Sequence, residues 1–201
     1  MKYITTIWTS IALCIALLGV RILDPVLVEQ LRLNSFDQYI QSLPDKESDV
    51  VLLSFGEETL AKYGQYPFPR HTYAQLISDL RNANAGMIAF TIMFPEADRF
   101  GGDEVFISWV NNNGVILAQD ASSRGRSDTA PYVGTATLGE GDAYDFVPKY
   151  SGLVTNIKEL EEAAWGVGLI NAGKEVDNIT RRIPLLSQIN GQLYPSMPWK
   201  S

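Results

Sequence analysis

The chain of 201 residues carries 23 acidic and 16 basic side chains, which gives a formal net charge of −7. This excess of negative charge argues against binding to nucleic acid and against adhesion to anionic lipid. A single cysteine, Cys14, and a single histidine, His71, exclude a disulfide within the chain and a metal site built from several histidines.

Residues 4–23 are predicted to form a single transmembrane anchor. This stretch is apolar apart from Arg21, which lies close enough to its end to reach the headgroups. A helix of ~20 residues spans roughly 30 Å, the thickness of the hydrocarbon core of a bilayer. A cleaved signal peptide and a buried core helix are the alternatives, but Lys2 alone makes a weak basic region and no small-x-small cleavage site follows Leu17. The sequence therefore favours an uncleaved anchor over residues 1–23.

The rest of the chain, residues 24–201, is predicted to form one domain outside the cytoplasm. It is long enough to bury a core of its own. A short N-terminus before a first apolar segment usually stays in the cytoplasm, although the basic residues on the two sides of this segment are nearly balanced. The predicted location is therefore the inner membrane, crossed once, with the domain in the periplasm.

Helical and strand-like patterns alternate after the anchor. Asp24 can cap a helix that starts at Pro25 and ends near Pro44-Asp45. Further helical patterns lie at residues 57–62, 70–83, 103–112 and 158–164, and strand-like runs at 49–55, 86–94, 114–118, 152–157 and 166–171. Because strands joined by helices tend to pair in parallel, the alternation predicts a largely parallel sheet flanked by helices.

Two more segments complete the predicted α/β fold. Residues 122–150 are rich in Gly, Ser, Thr and Asp and are predicted to be irregular. Residues 180–189 and 192–194 flank Asn190-Gly191, and Asn-Gly is the strongest short-range hairpin signal. The predicted fold class is therefore α/β with a C-terminal antiparallel hairpin.

Few residues suggest catalysis. The chain has no GxSxG, P-loop, GxGxxG or CxxC motif. Glu57 and Glu58 could form an acid–base pair, but two acids in the first turn of a helix also interact favourably with its dipole. At the start of a helix, a solvent-facing or structural role for His71 is a simpler interpretation than a general base. We expect no enzyme activity, no catalytic residue and no cofactor.

An acidic loop is the candidate for a metal site. Four carboxylates lie around Arg99 and Gly101-Gly102, namely Glu96, Asp98, Asp103 and Glu104. Their oxygens could bind a divalent cation, but the spacing fits no EF-hand. A solvated loop followed by a helix that begins at Asp103 explains them more simply. We therefore expect no metal.

The main candidate for ligand binding is the loop with the sequence YPFPR. Its two prolines restrict the backbone, so Tyr66, Phe68 and Arg70 can be held in place for a planar or anionic ligand. The loop lies at the C-terminal side of a predicted parallel strand, where α/β sheets form ligand crevices. In the competing interpretation, Arg70 binds the carbonyls of a neighbouring strand and the aromatic rings belong to the core.

Arg181 and Arg182 are the second candidate for ligand binding. Inside a strand pattern, neighbouring side chains point to opposite faces, so one of the two would face inward and need an anionic partner. That partner is either a carboxylate of the protein, which is the favoured interpretation, or a ligand.

Several motifs, in their order and spacing, resemble the type-two CHASE domain, a sensory extracellular domain associated with cyclases and histidine kinases. The resemblance runs from about residue 24 to the end of the chain. Its segments are LRLNSFD (31–37), VVLLSFGEETLAKYGQYPFPR (50–70), AGMIAFTIMF (85–94), Asp103, GVILA (114–118) and the stretch from GLIN to DNITRRIPLL (168–186). The chain departs at Gly56 and Thr91, where the family usually carries acids, and at Asn178, which replaces a glycine.

The resemblance implies a sensory domain held outside the membrane between an N-terminal helix and later transmembrane helices. Those later helices lead to a cytoplasmic adenylate cyclase, histidine kinase or serine/threonine kinase. Residues 194–196 resemble the start of the final helix of the family, so the domain is expected to be truncated at its C-terminal end.

We therefore expect a non-catalytic sensory input domain that binds an unknown small ligand or an envelope protein. The helix after the anchor, residues 25–43, carries more apolar residues than a single chain needs, which predicts a homodimer. Two other classes stay open: an anchored extracytoplasmic hydrolase that uses Glu57, Glu58 or Asp98, and a structural envelope protein.

Overall fold

The computed structural model describes residues 2–23, 25–44, 49–122 and 146–197. These residues fall into two compact units. The first unit comprises Met1–Leu52 and Lys174–Arg181, and the second comprises Leu53–Gly173 and Arg182–Ser201.

Two helices account for most of the first unit. Helix α1 covers Lys2–Leu23 and helix α2 covers Val26–Gln41. Pro25 precedes α2 in an extended conformation, and its carbonyl accepts the N–H groups of Val28 and Glu29 at 2.8 and 3.2 Å. The helix therefore begins one residue later than predicted. Asp24 and Asp45, which were expected to cap and to end it, lie outside the described residues.

The predicted anchor is helical along its whole length. Among the described residues, no single helix is both long and apolar enough to cross a membrane, whereas Ile7–Leu23 and Val26–Gln41, taken together as a bent pair, satisfy the criteria of length and composition. The crossing of a membrane by residues 4–23 thus stays a prediction.

The second unit mixes helices and short strands. In chain order its elements are α3 (Glu57–Tyr63), α4 (Arg70–Asn82), β1 (Ile88–Phe90), α5 (Asp103–Val110), β2 (Val115–Ser122), β3 (Lys149–Tyr150), β4 (Gly152–Val154), α6 (Lys158–Ala163), β5 (Gly166–Leu169), β6 (Leu186–Ile189) and β7 (Gln192–Pro195). The predicted helices at 57–62, 70–83, 103–112 and 158–164 correspond to α3 to α6, with ends that differ by at most two residues.

The sheets confirm the α/β class and only part of the predicted parallel pairing. Strand β2 is central: β1 and β5 pair with it in parallel, and β4 pairs with its last three residues in the antiparallel sense. In the second sheet, β3 is parallel to β6 and β6 is antiparallel to β7. The hairpin is confirmed, because Asn190 and Gly191 have φ values of 49° and 85°, the positive angles that a two-residue I′ turn requires.

The predicted central strand at residues 49–55 is wrong. This segment joins neither sheet, and Val51 and Leu52 are 80% and 89% exposed. An apolar run rich in strand-forming residues satisfies the propensity for a strand, but it does not select a hydrogen-bonded neighbour. In the described part of the chain the sheet is built on β2 instead.

The first half of the predicted strand at 180–189 is also wrong, since β6 starts only at Leu186. Asn178 takes a positive φ of 63°, and Pro184 interrupts the segment with a residue that cannot donate to a ladder. Of the predicted irregular segment 122–150, Ser122 ends β2 and Lys149–Tyr150 forms β3, while residues 123–145 lie outside the described residues.

The main core of the second unit lies between the parallel strands and helices α4, α5 and α6. Its buried aromatic rings come from the YPFPR loop, α4, β1, the loop after β1 and α5, namely Phe68, Tyr73, Phe90, Phe94 and Phe106. The ring centroids of Phe94 and Phe106 lie 4.9 Å apart, and those of Tyr73 and Phe94 lie 5.2 Å apart, both in edge-to-face geometry. This packing fixes the start of the loop that follows β1.

Candidate functional site

A cavity of about 380 Å³ lies in the second unit, between the YPFPR loop and the loop that follows β1. The side chains and backbone that line it come from Tyr66, Pro67, Phe68, Arg70, Met93, Pro95, Glu96, Ala97, Asp98, Arg99 and Phe100. The volume is within the range of pockets that take small molecules. The loop after β1 leaves the C-terminal end of a parallel strand, the kind of sheet edge at which the sequence predicted a site. The strand from which that prediction was made, residues 49–55, does not form.

The aromatic side chains of the YPFPR loop have two different roles. Phe68 is 2% exposed and belongs to the core, with its ring 5.4 Å from that of Phe55 and 6.2 Å from that of Tyr73. Tyr66 is 50% exposed and packs edge-to-face on Phe68 at 6.0 Å. Phe68 therefore fixes the loop, and Tyr66 is the ring that the loop leaves accessible.

Arg70, the first residue of α4, is largely buried and connects the two loops. Its Nη2 donates to the carbonyl of Glu96 at 2.8 Å, its Nε lies 3.3 Å from Oδ1 of Asp103, and its guanidinium lies over the ring of Phe94 at 4.5 Å. The competing interpretation predicted a bond from this arginine to the carbonyls of a neighbouring strand, whereas the carbonyl it binds belongs to the loop after β1. Arg70 also lines the cavity, so it supports the wall as well as forming part of it.

Asp98 organises the backbone of the second loop. Its carboxylate accepts the N–H groups of Arg70 at 2.9 Å, Phe100 at 3.1 Å and Gly102 at 3.2 Å. Burial opposes its ionisation, but these three donors and the charge of Arg70 outweigh burial and hold the pKa of Asp98 below its usual range. In return, Asp103 Oδ2 accepts the N–H of Asp98 at 2.7 Å.

Gly102 is needed for the close approach of this loop to α4. A Cβ atom on Gly102 would lie 2.9 Å from both Cβ of Arg70 and the backbone nitrogen of His71. Any larger residue would therefore separate the loop from the helix.

In the part of the chain that the structure describes, no group of three or more His, Cys, Asp or Glu side chains is placed to hold a metal ion. The carboxylates of Asp98 and Asp103 are used inside the loop itself.

Arg99 and Phe100 form the outer part of the cavity. The guanidinium of Arg99 lies over the ring of Phe100, 4.8 Å from its centroid, and both residues are exposed. Sequence reasoning treated Arg99 only as the centre of an acidic loop and missed Phe100. A phenylalanine between charged residues and two glycines is an unusual composition for a solvated loop, and that signal could have identified it.

A second polar cluster lies within the first unit, around Arg181. The guanidinium donates to both carboxylate oxygens of Asp37 on α2, at 2.7 and 2.6 Å, and to both oxygens of Asp177, at 3.0 and 2.6 Å. Glu175 lies 3.8 Å away. We call Asp37, Glu175, Asp177 and Arg181 the Arg181 cluster. It ties α2 to the segment Lys174–Arg181 through paired bonds of the fork geometry that guanidinium and carboxylate share.

The Arg181 cluster is expected to lose its effect in acid. Hydrogen bonds from Arg181 lower the pKa of Asp177 to about 2 and also lower the pKa of Asp37. Because both values are depressed in the folded protein, the stabilisation is complete above the ordinary value of ~4 and is lost as the pH falls through the folded values. Thermal unfolding from pH 7 to 2 should therefore show that Arg181→Ala lowers the melting temperature by a constant amount above about pH 5 and by progressively less below pH ~4.

Lys158→Ala is the matched control for this prediction, because its ion pair with Glu162 at 3.5 Å is exposed and should contribute little at any pH. A melting difference for Arg181→Ala that does not change between pH 7 and 2 would show that the cluster acts by packing rather than by charge.

A family model described as the CHASE2 domain matches residues 11–201, nearly the whole chain. The chain belongs to the CHASE2 domain family. CHASE2 domains are sensory extracellular domains of signalling proteins and are typically parts of membrane proteins. Comparisons with curated proteins and with solved structures find no match.

Two of the CHASE2-like motifs, which are distant in the sequence, contact each other in the structure. LRLNSFD ends at Asp37 and DNITRR contains Asp177 and Arg181, which are the residues that meet in the Arg181 cluster. The favoured interpretation of the arginine pair, in which one of them binds a protein carboxylate, is confirmed for Arg181. Arg182 is exposed and does not line the cavity, so its proposed contact with a ligand stays a prediction.

Gly56 and Thr91, two positions at which the sequence was expected to depart from the family, do not line the cavity. Gly56 precedes α3 as its cap, and Thr91 is exposed just after β1. Glu57 and Glu58 are exposed in the first turn of α3, as the interpretation based on the helix dipole expects. Of the five predicted ligand residues, the cavity brings together Tyr66, Phe68 and Arg70 and leaves out the two later arginines.

Proposed function

We propose that this chain is the extracytoplasmic input domain of a membrane signalling protein. In this proposal a small ligand binds in the cavity between the YPFPR loop and the loop after β1, and the response passes to a cytoplasmic adenylate cyclase or kinase. The observation that carries the proposal is the cavity itself. It is lined by an exposed tyrosine ring, by an arginine stacked on a phenylalanine, and by the buried residues Phe68 and Arg70.

The membrane attachment is part of the proposal. Residues 4–23 would cross the inner membrane once, and residues 24–201 would face the periplasm. Helix α1 supports this assignment because its large apolar side chains are exposed, among them Leu13 at 62%, Ile15 at 64% and Leu17 at 61%. Side chains of this kind are stable in contact with lipid.

The Arg181 cluster supplies a route for transmission. It fastens α2, the helix that follows the proposed anchor, to the segment Lys174–Arg181. This segment is covalently continuous with β5 on one side and with β6 on the other. A change in the sheet that carries the cavity would therefore reach α2 through the chain and through paired ionic bonds.

A homodimer is also part of the proposal, with α2 as its contact. The helix leaves several large apolar side chains exposed, including Leu27 at 74%, Leu31 at 67% and Tyr39 at 62%. An envelope protein is the alternative partner. The proposal includes no catalytic step. Two observations support this part of it: the carboxylate of Asp98 accepts three backbone N–H groups, and neither Glu57 nor Glu58 lines the cavity.

Blocking the cavity tests the proposed ligand site. Ala97 is exposed and lines the cavity, so Ala97→Trp should fill it without a large change in the core. We expect a thermal-shift screen of the full chain in detergent against a library of small metabolites to give stabilising compounds whose effect is lost in Ala97→Trp.

Ala61→Trp is the matched control, since Ala61 is exposed on α3 and does not line the cavity. Compounds that stabilise Ala97→Trp as well as the wild type, or a library without any stabilising compound, would contradict a small-molecule site here and would favour the structural class of envelope protein.

A further inference from the structure

The charged residues that line the cavity differ in whether their side chains already form hydrogen bonds or ion pairs within the protein. The carboxylate of Asp98 accepts three backbone N–H groups, and the guanidinium of Arg70 bonds to the carbonyl of Glu96 and lies 3.3 Å from Asp103. These two residues hold the loops together. Their charges are compensated within the wall of the cavity.

Two other charged residues of the lining, Glu96 and Arg99, form no ion pair with another described side chain. Among the residues that the structure describes, neither the guanidinium of Arg99 nor the carboxylate of Glu96 forms an ion pair, with each other or with another side chain. Both belong to the same short loop and line the same cavity. The lining of the cavity therefore includes one basic and one acidic residue that form no ion pair among the described residues.

The rest of the lining is apolar. Tyr66, Phe68 and Phe100 contribute rings, and Met93 and two prolines contribute aliphatic surface. Phe100 is already covered on one face by the guanidinium of Arg99, which holds that cation beside the apolar wall. A ligand that fits this lining needs an apolar body next to its charged end.

From these observations we propose that the cavity binds a zwitterion, an α-amino acid with an aromatic or large apolar side chain. The guanidinium of Arg99 would take the carboxylate, the carboxylate of Glu96 would take the ammonium group, and the rings would cover the side chain. A simple anion would be repelled by Glu96 and a simple cation by Arg99, so the opposite charges select for a ligand that carries both. This inference rests on the proposed ligand site and specifies the chemistry of its ligand.

Three compounds that share one apolar body separate the possible ligand classes. L-Phenylalanine carries both charges, 3-phenylpropionate only the negative one, and 2-phenylethylamine only the positive one. Isothermal titration of the full chain in detergent should show saturable binding of L-phenylalanine and binding of each analogue that is weaker by about tenfold or more, the loss expected for one charged hydrogen-bonded contact.

Two charge-neutralising variants assign the contacts. Glu96→Gln should weaken the binding of L-phenylalanine about tenfold and strengthen that of 3-phenylpropionate, because the charge that repels this anion is gone. Arg99→Gln should likewise weaken L-phenylalanine and strengthen 2-phenylethylamine. Glu104→Gln and Lys62→Gln are matched controls, because both side chains are exposed and neither lines the cavity; they should change no affinity.

An analogue that binds as tightly as L-phenylalanine would overturn the zwitterion, in favour of a simple anion or a simple cation. Binding of none of the three compounds would also overturn it. The thermal-shift screen with Ala97→Trp then decides separately whether the cavity binds any small molecule. If metabolites stabilise the wild type but not this variant, the cavity is a ligand site for another class of compound. If they stabilise both, the proposed ligand site fails as well.

Discussion

Replacement of Phe68 by alanine is expected to lower the free energy of unfolding of the second unit by roughly 3–5 kcal/mol, the usual cost of removing a buried phenylalanine ring. Phe68 is 2% exposed, and rings of Phe55, Tyr66 and Tyr73 pack around it at 5.4, 6.0 and 6.2 Å. Its removal would leave a void between the YPFPR loop and α4, so the loss of stability should be accompanied by loss of the cavity.

Phe100→Ala is the informative control for this prediction. Phe100 lines the same cavity but is 59% exposed, so its removal should change the free energy of unfolding by less than ~1 kcal/mol. Chemical denaturation of both variants measures the two effects. Equal losses of stability would contradict the distinction between Phe68 as a core residue and Phe100 as an accessible wall.

The second large effect is expected for Asn156→Ala. Asn156 is 4% exposed and connects three segments: its Oδ1 accepts the N–H of Phe94 at 2.8 Å, and its Nδ2 donates to the carbonyl of Ala118 at 2.9 Å and to Glu161 at 3.2 Å. Alanine would leave buried backbone groups at Phe94 and Ala118 without a partner, at a cost of about 1–3 kcal/mol for each.

This loss would extend to the cavity, because Phe94 lies at the start of the loop that forms its second wall. We expect a lower free energy of unfolding and faster hydrogen exchange of the Phe94 amide in Asn156→Ala. The exposed Asn82, which ends α4, is the matched site for comparison, and Asn82→Ala should leave both quantities nearly unchanged. Unchanged exchange at Phe94 in Asn156→Ala would show that the loop does not depend on this side chain.

Features that depend on neighbouring residues could be predicted from the sequence. Helices α4 and α5 follow from apolar spacings of three and four, and the hairpin follows from the positive φ values that Asn190 and Gly191 accept. The YPFPR loop was identified for the same reason, since two prolines around a phenylalanine restrict a backbone whatever lies beside it.

Features that depend on distant partners could not be predicted. Residues 49–55 have the composition of a buried strand, but in the described chain the neighbours of β2 are other strands. One partner of Arg181 is Asp37, 144 residues earlier in the chain, and no spacing rule connects two such positions. Arg99 was considered only with the acids next to it in sequence, because its place in a cavity with Tyr66 depends on how two loops meet.

The account depends most on the side of the membrane that the second unit occupies. Two reporters fused after Ser201, one active only in the periplasm and one active only in the cytoplasm, measure this directly. We predict activity from the periplasmic reporter alone, because the chain is a CHASE2 domain and such domains are typically the extracellular parts of membrane proteins. Activity from the cytoplasmic reporter alone would contradict an extracytoplasmic sensor.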